Sequence, residues 1–452
     1  MQTFQKQMQS HDDNSERAME AGNHLKNLTK TKNQMSRGDF LKTLGLGLVA
    51  NSVVFSGCNK DDDEGGSNNG LKAGEIEIKA YPDNNRDNKI IFSATAKKIT
   101  IDWGDGTVNE FNPNGKGMEF SHQYQFADYK TVSIMTELIT DYEHKTYSEQ
   151  LELRFGKCTE LRKLDCSNKG VSVLDIKNAV ASLETLECEW SKISSLDVSG
   201  ASKLTTLSCN GGMYGNITEL KLSGCTALKD LNCSFNQLTQ LDLSSCTVLT
   251  NLDCWNNQLT QLDLSKNPVL TYLDCKGGEL TLLDVTGCTA LTYLNCDRNQ
   301  LTLLDMSSCT ALTKMLCENN KLTELKLRGC TALMELRCNN NQLNQLDVTG
   351  CTALTYLECT SNQLNQLDVS KNTALTSLNC NSNQLTQLDV SKNTALTVLE
   401  CKNNQLSASA LNALFESLPN ATDVSWISFW GNPGSDSCDQ SIYERKGWLR
   451  SI

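Results

Sequence analysis

Cysteine is the residue with the most chemistry to offer in this chain, and its spacing decides which chemistry is open to it. Of 21 cysteines, twelve fall on one ladder: Cys166, Cys188, Cys209, Cys233, Cys254, Cys275, Cys296, Cys317, Cys338, Cys359, Cys380 and Cys401. From Cys233 onward each step is 21 residues, and the earlier steps are 22, 21 and 24. A second ladder holds Cys158, Cys225, Cys246, Cys288, Cys309, Cys330 and Cys351, with Asn267, Asn372 and Asn393 in the same place elsewhere. No C-x-x-C occurs, so zinc and thioredoxin-type spacings are absent. One thiol per repeat suits a buried small hydrophobe better than a bridge. Only Cys58 and Cys438 lie off both ladders.

Other reactive groups are sparse or periodic. The four histidines stand at 11, 24, 122 and 144, all outside the cysteine array from Cys166 to Cys401. No G-x-S-x-G, H-E-x-x-H or phosphate-cradling glycine loop appears, so neither an enzyme nor a cofactor is expected. The aspartates 175, 197, 242, 263, 284, 305, 347, 368 and 389 form a column that Lys221 and Lys326 interrupt. A bare row of carboxylates at strand spacing would repel, and the glycine-rich pattern of calcium β-rolls is missing. Hydrogen bonding to nearby backbone amides is the expected role, and no metal is assigned.

The element that must position these side chains is a repeat. One unit reads Leu249-Thr-Asn-Leu252-Asp-Cys254-Trp-Asn-Asn257-Gln-Leu259-Thr-Gln-Leu262-Asp-Leu264-Ser-Lys-Asn267. Along its short strand Leu252 and Cys254 point inward and Asp253 outward. Such a unit cannot bury its apolar face alone, so stacked neighbours share one continuous core. Asn236, Asn257, Asn299, Asn320, Asn341, Asn362, Asn383 and Asn404 recur where each strand turns, suited to pairing freed backbone groups; Gly278 interrupts them. The L-x-x-L-x-C-x-x-N-x-L unit resembles a leucine-rich repeat, and its nested second half resembles the 21-residue class of bacterial surface proteins. The fold class expected is mostly β, α+β overall: a solenoid of about 12 rungs with a parallel sheet over 141–406, and a cap at 407–452. In that cap a helix from Ala408 to Leu418 acts with Trp426, Trp430 and Trp448.

Residues 1–34 are polar and aperiodic, and Met35 is the expected true start. Arg37 and Lys42 precede the apolar run Leu44–Val54 and then Phe55-Ser-Gly-Cys58. This resembles a bacterial lipoprotein signal peptide over 35–57, which implies lipidation at Cys58. The run is too short to span a bilayer. Residues 58–71 are acidic and then Gly-rich, a flexible tether. An acidic cluster behind the lipidated cysteine resembles the export signal of Bacteroidetes-type surface lipoproteins. That resemblance implies the outer membrane, facing the cell surface.

Between 72 and 140 the hydrophobic period is two, as in Glu75-Ile-Glu-Ile78 and Lys98-Ile-Thr-Ile101, which predicts an antiparallel β-sandwich. Asp102-Trp-Gly-Asp-Gly-Thr107, followed by His122 and Tyr124, resembles a PKD-like domain of immunoglobulin type, although Ala127-Asp128 replaces the usual glycine before Tyr129. Asp102 and Asp105 are read as turn residues rather than calcium ligands.

Partner specificity must come from outward positions of the strand. The net charge of −12 argues against nucleic acid. Tyr272 and Tyr293 on adjacent rungs form one expected aromatic platform, Phe235 and Trp255 a second, and Tyr356 shares the tyrosine column. These five are the candidate ligand-binding residues, since exposed aromatics anchor protein partners and sugar rings alike. The resemblance to surface adhesins implies a host or neighbouring-cell protein. Glycan capture and a passive spacer are the alternatives.

Overall fold

The computed structural model describes residues 71–80, 88–125, 130–147 and 151–451. The leader, Cys58 and the tether up to residue 70 lie outside the described residues.

Alternation in the first segment produces a two-sheet sandwich. One sheet holds β1 (Glu75–Ala80), β3 (Lys98–Asp102), β4 (Val108–Phe111), β6 (Lys130–Glu137) and β8 (Leu151–Phe155), in the order β8-β1-β6-β3-β4. The other holds β2 (Lys89–Thr95) between β5 (Gly117–Gln123) and β7 (Asp141–His144). Ile76, Ile78, Phe92, Ile99, Ile101, Trp103 and Phe155 fill the space between them. The Asp102–Thr107 turn is held by its own aspartates: Asp102 accepts from the Gly104 amide at 2.9 Å and Asp105 from that of Thr107 at 3.0 Å. Gly104 is at φ +69°, and a Cβ there would meet the Thr131 carbonyl oxygen at 2.0 Å. Tyr124 closes the corner through its hydroxyl on the Trp103 carbonyl.

Both sandwich sheets run on into the repeats. Strand β7 pairs in parallel with β9 (Lys163–Asp165), the first strand of the cysteine ladder, and β8 pairs in parallel with β10 (Val171–Asp175). The chain is therefore bridged at 140/141 rather than divided there. Residues 141–155 complete the sandwich, and their sheet edges template the first rung. The sandwich thus covers the apolar end that an open solenoid would expose.

From β9 the three-residue strands stack in parallel register, as in Asp230↔Asn251, Asn251↔Tyr272 and Tyr272↔Tyr293. Every ladder cysteine is buried, with its flanking leucine, in one core. Burial pushes these thiols up, Cys188 and Cys246 to about 12, so they stay protonated and inert. Where the corner carries an asparagine, that side chain does three jobs. The Asn257 amide donates to the carbonyls of Cys233 (3.0 Å) and Cys254 (2.9 Å), while its oxygen accepts from Leu238 N–H at 3.0 Å. Opposite the main sheet, Asp263 accepts from the amide of Ser265 at 2.9 Å and Asp368 from that of Ser370 at 2.8 Å. Those backbone bonds hold both carboxyls below the usual range. The aspartate column is thus a set of local turn caps.

The carboxy-terminal cap departs from its expected form. Helix α1 (Ala408–Ser417) begins at Ser407, whose side chain accepts from Ala410 N–H, and buries Leu411, Leu414 and Phe415. Phe415, Phe429 and Tyr443 interlock as a cluster of rings, and Trp448 is buried. Trp426 and Trp430, however, are 42% and 43% exposed. For Trp426 the reason is register. Ser425–Ser428 and Trp448–Arg450 extend the main sheet, and Trp426 pairs with Val398 in its outward column.

Candidate functional site

The main sheet presents three outward columns. Across the rungs of Cys254, Cys275 and Cys296 they read Asn251-Asp253-Trp255, Tyr272-Asp274-Lys276 and Tyr293-Asn295-Asp297. Parallel register lays the Tyr272 and Tyr293 rings face to face, with centroids 4.7 Å apart and planes within 4°. Tyr272 remains 37% exposed, and its hydroxyl has no hydrogen-bond partner among the described residues. Phe235 and Trp255 also meet, edge to face at 4.0 Å. Phe235 is not on the strand but in the corner after it, at φ +53°, a place that Asn256 and Gly277 take in the next rungs. The Lys276 ammonium lies 4.7 Å from the Trp255 ring centroid, linking the second pair to the tyrosine rungs. Tyr356 stands apart: its hydroxyl donates to Glu358 at 2.9 Å, and the Arg337 guanidinium sits 5.0 Å from its ring.

Carboxylates lie among these rings. Asp253 and Asp274 are register partners, and Asp274 is only 7% exposed although its column points outward. Neighbouring side chains crowd that column, and Asn295 in the next rung is buried as well. Asp274 accepts from the Lys276 amide at 3.1 Å and from Asn295 at 3.2 Å. For Asp253, Oδ1 is buried and finds no partner among the described residues. Burial, and then the facing Asp274, push the Asp253 carboxyl up to about 7. Burial and Glu318 do the same to Asp297. Beside Tyr272 a depression of about 380 Å³ is lined by Ser208, Asp230, Asn232, Asn251 and Asp253. Tyr293 covers one face of Tyr272, and Tyr272 in turn forms part of the wall of this depression. Among the described residues no cluster of His, Cys, Asp or Glu is arranged to hold a metal ion.

No protein-family model matches the chain, and no curated protein does. Among solved structures, the functional domain of InlJ from Listeria monocytogenes, which includes a cysteine ladder, is similar at 36% identity with a TM-score of 0.51. The alignment covers 60% of this chain and 60% of that one. A leucine-rich-repeat protein of Leptospira interrogans aligns at 20% identity with a TM-score of 0.51, over 66% of this chain and 85% of its own. The solenoid is a leucine-rich-repeat fold. At 20% identity the second likeness carries the fold alone.

Within this leucine-rich-repeat solenoid, the five aromatic candidates separate into two contacting pairs and one residue outside them. Sequence reasoning places Asp253, Asp274 and Asp297 in the outward columns that carry specificity, with the acidic rungs from Asp297 to Glu358 as a second choice, but does not name them among the five ligand-binding candidates. The visible signal was acidic residues in outward columns of three successive rungs. What the sequence did not carry was the crowding that buries Asp274 and leaves an oxygen of Asp253 unpaired.

Proposed function

We propose that this chain is a protein-binding leucine-rich-repeat lipoprotein of the bacterial cell surface, recognising its partner through the sheet around Tyr272 and Tyr293. The observation that carries this reading is the stacked, partly exposed tyrosine pair beside an open depression, on the sheet that a solenoid offers as an extended binding surface. The cysteine ladder shared with the InlJ domain supports a similar scaffold. Anchoring through Cys58 and the PKD-like character of the sandwich rest on the sequence motifs. Glycan capture is the second reading, favoured by the Tyr272 ring beside a depression lined with Asn and Asp.

The test is an array of extracellular proteins and an array of glycans, probed with wild type and with Tyr272→Ala/Tyr293→Ala. Loss of an anchoring aromatic typically costs about 2 kcal/mol or more, roughly thirtyfold in affinity. A protein ligand that the double variant no longer binds supports the proposal. A glycan ligand lost in the same variant replaces it with the second reading, and ligands held at wild-type affinity remove the tyrosine face from consideration. For the anchor, Cys58→Ala should move the protein from the membrane to the soluble fraction and abolish acyl labelling. Normal labelling and partitioning in that variant would reject the lipoprotein assignment.

A further inference from the structure

The depression beside Tyr272 has a chemical character that narrows the partner, and the inference drawn from it rests on the protein-binding reading above. Its walls are mostly apolar surface, with Tyr272, Leu207 and Leu231 in the lining, and the acidic and amide groups of Asp253, Asn251, Asp230 and Asn232 are set among it. Asn251 donates to Asp230 at 2.6 Å, which fixes that carboxylate at the rim. No ion pair to Asp230, Asp253 or Asp274 is formed among the described residues. Lys276, the cation two residues after Asp274, lies over Trp255 instead. Asp253 contributes a buried oxygen without a hydrogen-bond donor.

We propose that this depression receives an arginine or lysine side chain of the protein partner, its aliphatic stem along the Tyr272 ring and its charged head between Asp230 and Asp253. Three features fit that occupant together. A volume of about 380 Å³ admits one long side chain. An aromatic face attracts a cation and also packs against methylenes. Asp230 and Asp253 line the depression without an ion pair among the described residues, and an arginine fork can reach two carboxylates at once through charge-assisted hydrogen bonds. The raised Asp253 carboxyl agrees with a site that gains from an added positive charge. An acidic side chain would meet like charge at Asp230 and Asp253.

The experiment uses the full chain as bait for a random twelve-residue peptide library displayed on phage, at low salt. Enriched peptides are then synthesised with each arginine replaced by citrulline and each lysine by norleucine. The expected result is a basic residue at a fixed place in the enriched peptides, whose neutral replacement weakens binding at least tenfold. Asp253→Asn and Asp230→Asn should each weaken binding at least fivefold. Asp389→Asn, an equal charge change on the opposite face, should alter it less than twofold. Binders that need Tyr272 and Tyr293 but tolerate both the neutral peptides and Asp253→Asn would overturn the cation pocket and leave the protein-binding reading intact. Binders indifferent to Tyr272→Ala/Tyr293→Ala, or an absence of binders, would overturn both.

Discussion

Two stretches of the same sheet, around Tyr272 and, four rungs on, around Tyr356, place tyrosine in the same column and treat it in opposite ways. Around Tyr356 the charges are matched within the molecule. Lys314 pairs with Glu335 at 3.0 Å, Arg337 with Glu335 at 2.8 Å, and the Tyr356 hydroxyl donates to Glu358. Arg337 also covers the Tyr356 ring. Around Tyr272 the tyrosines pair with each other, the carboxyls of Asp253 and Asp274 face one another, and Lys276 is drawn to Trp255. A surface whose groups satisfy one another gains little from a partner. One whose carboxylates, Asp230 and Asp253, line a depression without an ion pair among the described residues gains by being covered with the right charge. The column alone does not mark a binding residue; what its neighbours leave unsatisfied does.

The largest expected effect lies beneath both stretches, in the asparagine ladder. Asn257 serves three backbone groups under the open stretch, and Asn341 serves the carbonyls of Cys317 and Cys338 and the amide of Leu322 under the closed one. Replacing either with Ala strands buried backbone groups at about 1 kcal/mol or more each, so a loss of roughly 3 kcal/mol is expected at both. Denaturant unfolding of the two variants measures it. If Asn257→Ala is cheaper by half or more, the open stretch is already loosened at its corner and the two regions differ in scaffold as well as surface.

A smaller effect separates the two stretches by pH. The Asp253 carboxyl is raised from 3.8 to about 7, by burial first and the facing Asp274 second, against weaker lowering by the Trp255 backbone and Lys276. Because the folded value lies above the unfolded one, the native protein holds an extra proton between these limits. The associated stability is fully present below about pH 4 and lost as pH rises through 7. Asp253→Asn should therefore raise the melting temperature at pH 8, by an amount equivalent to roughly 1 kcal/mol, and change it little at pH 4. A variant that is less stable than wild type at pH 8 would show that the ionised carboxylate is satisfied after all.

Much of this architecture was legible in the sequence because each rung repeats one physical problem. The 21-residue step places Leu252 and Cys254 inward, and the structure buries both. The asparagine column marks where backbone groups lose their strand partners, and Asn257 meets them. Stacking of Tyr272 on Tyr293 follows from register alone. Positions that obey no period were harder to read. Trp426 was expected in the cap, on a strand over Val424–Trp430, and the strand is there at Ser425–Ser428; what the residues do not reveal is that it joins the sheet in register with Val398. Tyr356 shares its column with Tyr293, yet its pairing with Glu358 depends on side-chain conformations that spacing does not specify. The burial of Asp274 likewise comes from neighbours in three rungs at once.

The smallest expected effect sharpens the comparison at the corner of the open stretch. In the closed stretch Asn320, Asn341 and Asn362 follow one another without a gap. Beside Tyr272 and Lys276 the equivalent residue is Gly278. In neighbouring rungs the asparagine oxygen accepts from the amide 19 residues earlier, Leu238 for Asn257 and Leu280 for Asn299, both at 3.0 Å. The corresponding amide for position 278 is that of Leu259, a buried residue whose N–H finds no acceptor among the described residues. Gly278 is not in the left-handed region, and a Cβ there would lie 3.1 Å from Asn299 Oδ1, so a side chain needs a shift of only a few tenths of an ångström. Gly278→Asn should restore the missing bond and also reduce the freedom of the unfolded chain, for a gain of about 1 kcal/mol. Denaturant midpoints measure the gain, and peptide binding measured on the same variant adds a second reading. A stabilised variant with unchanged binding makes the gap incidental to recognition. A stabilised variant that binds at least fivefold more weakly makes the missing asparagine part of the open surface, with the partner reaching the corner beside Lys276. No gain in stability would mean that the Leu259 amide is already satisfied and that the two stretches rest on equivalent scaffolds.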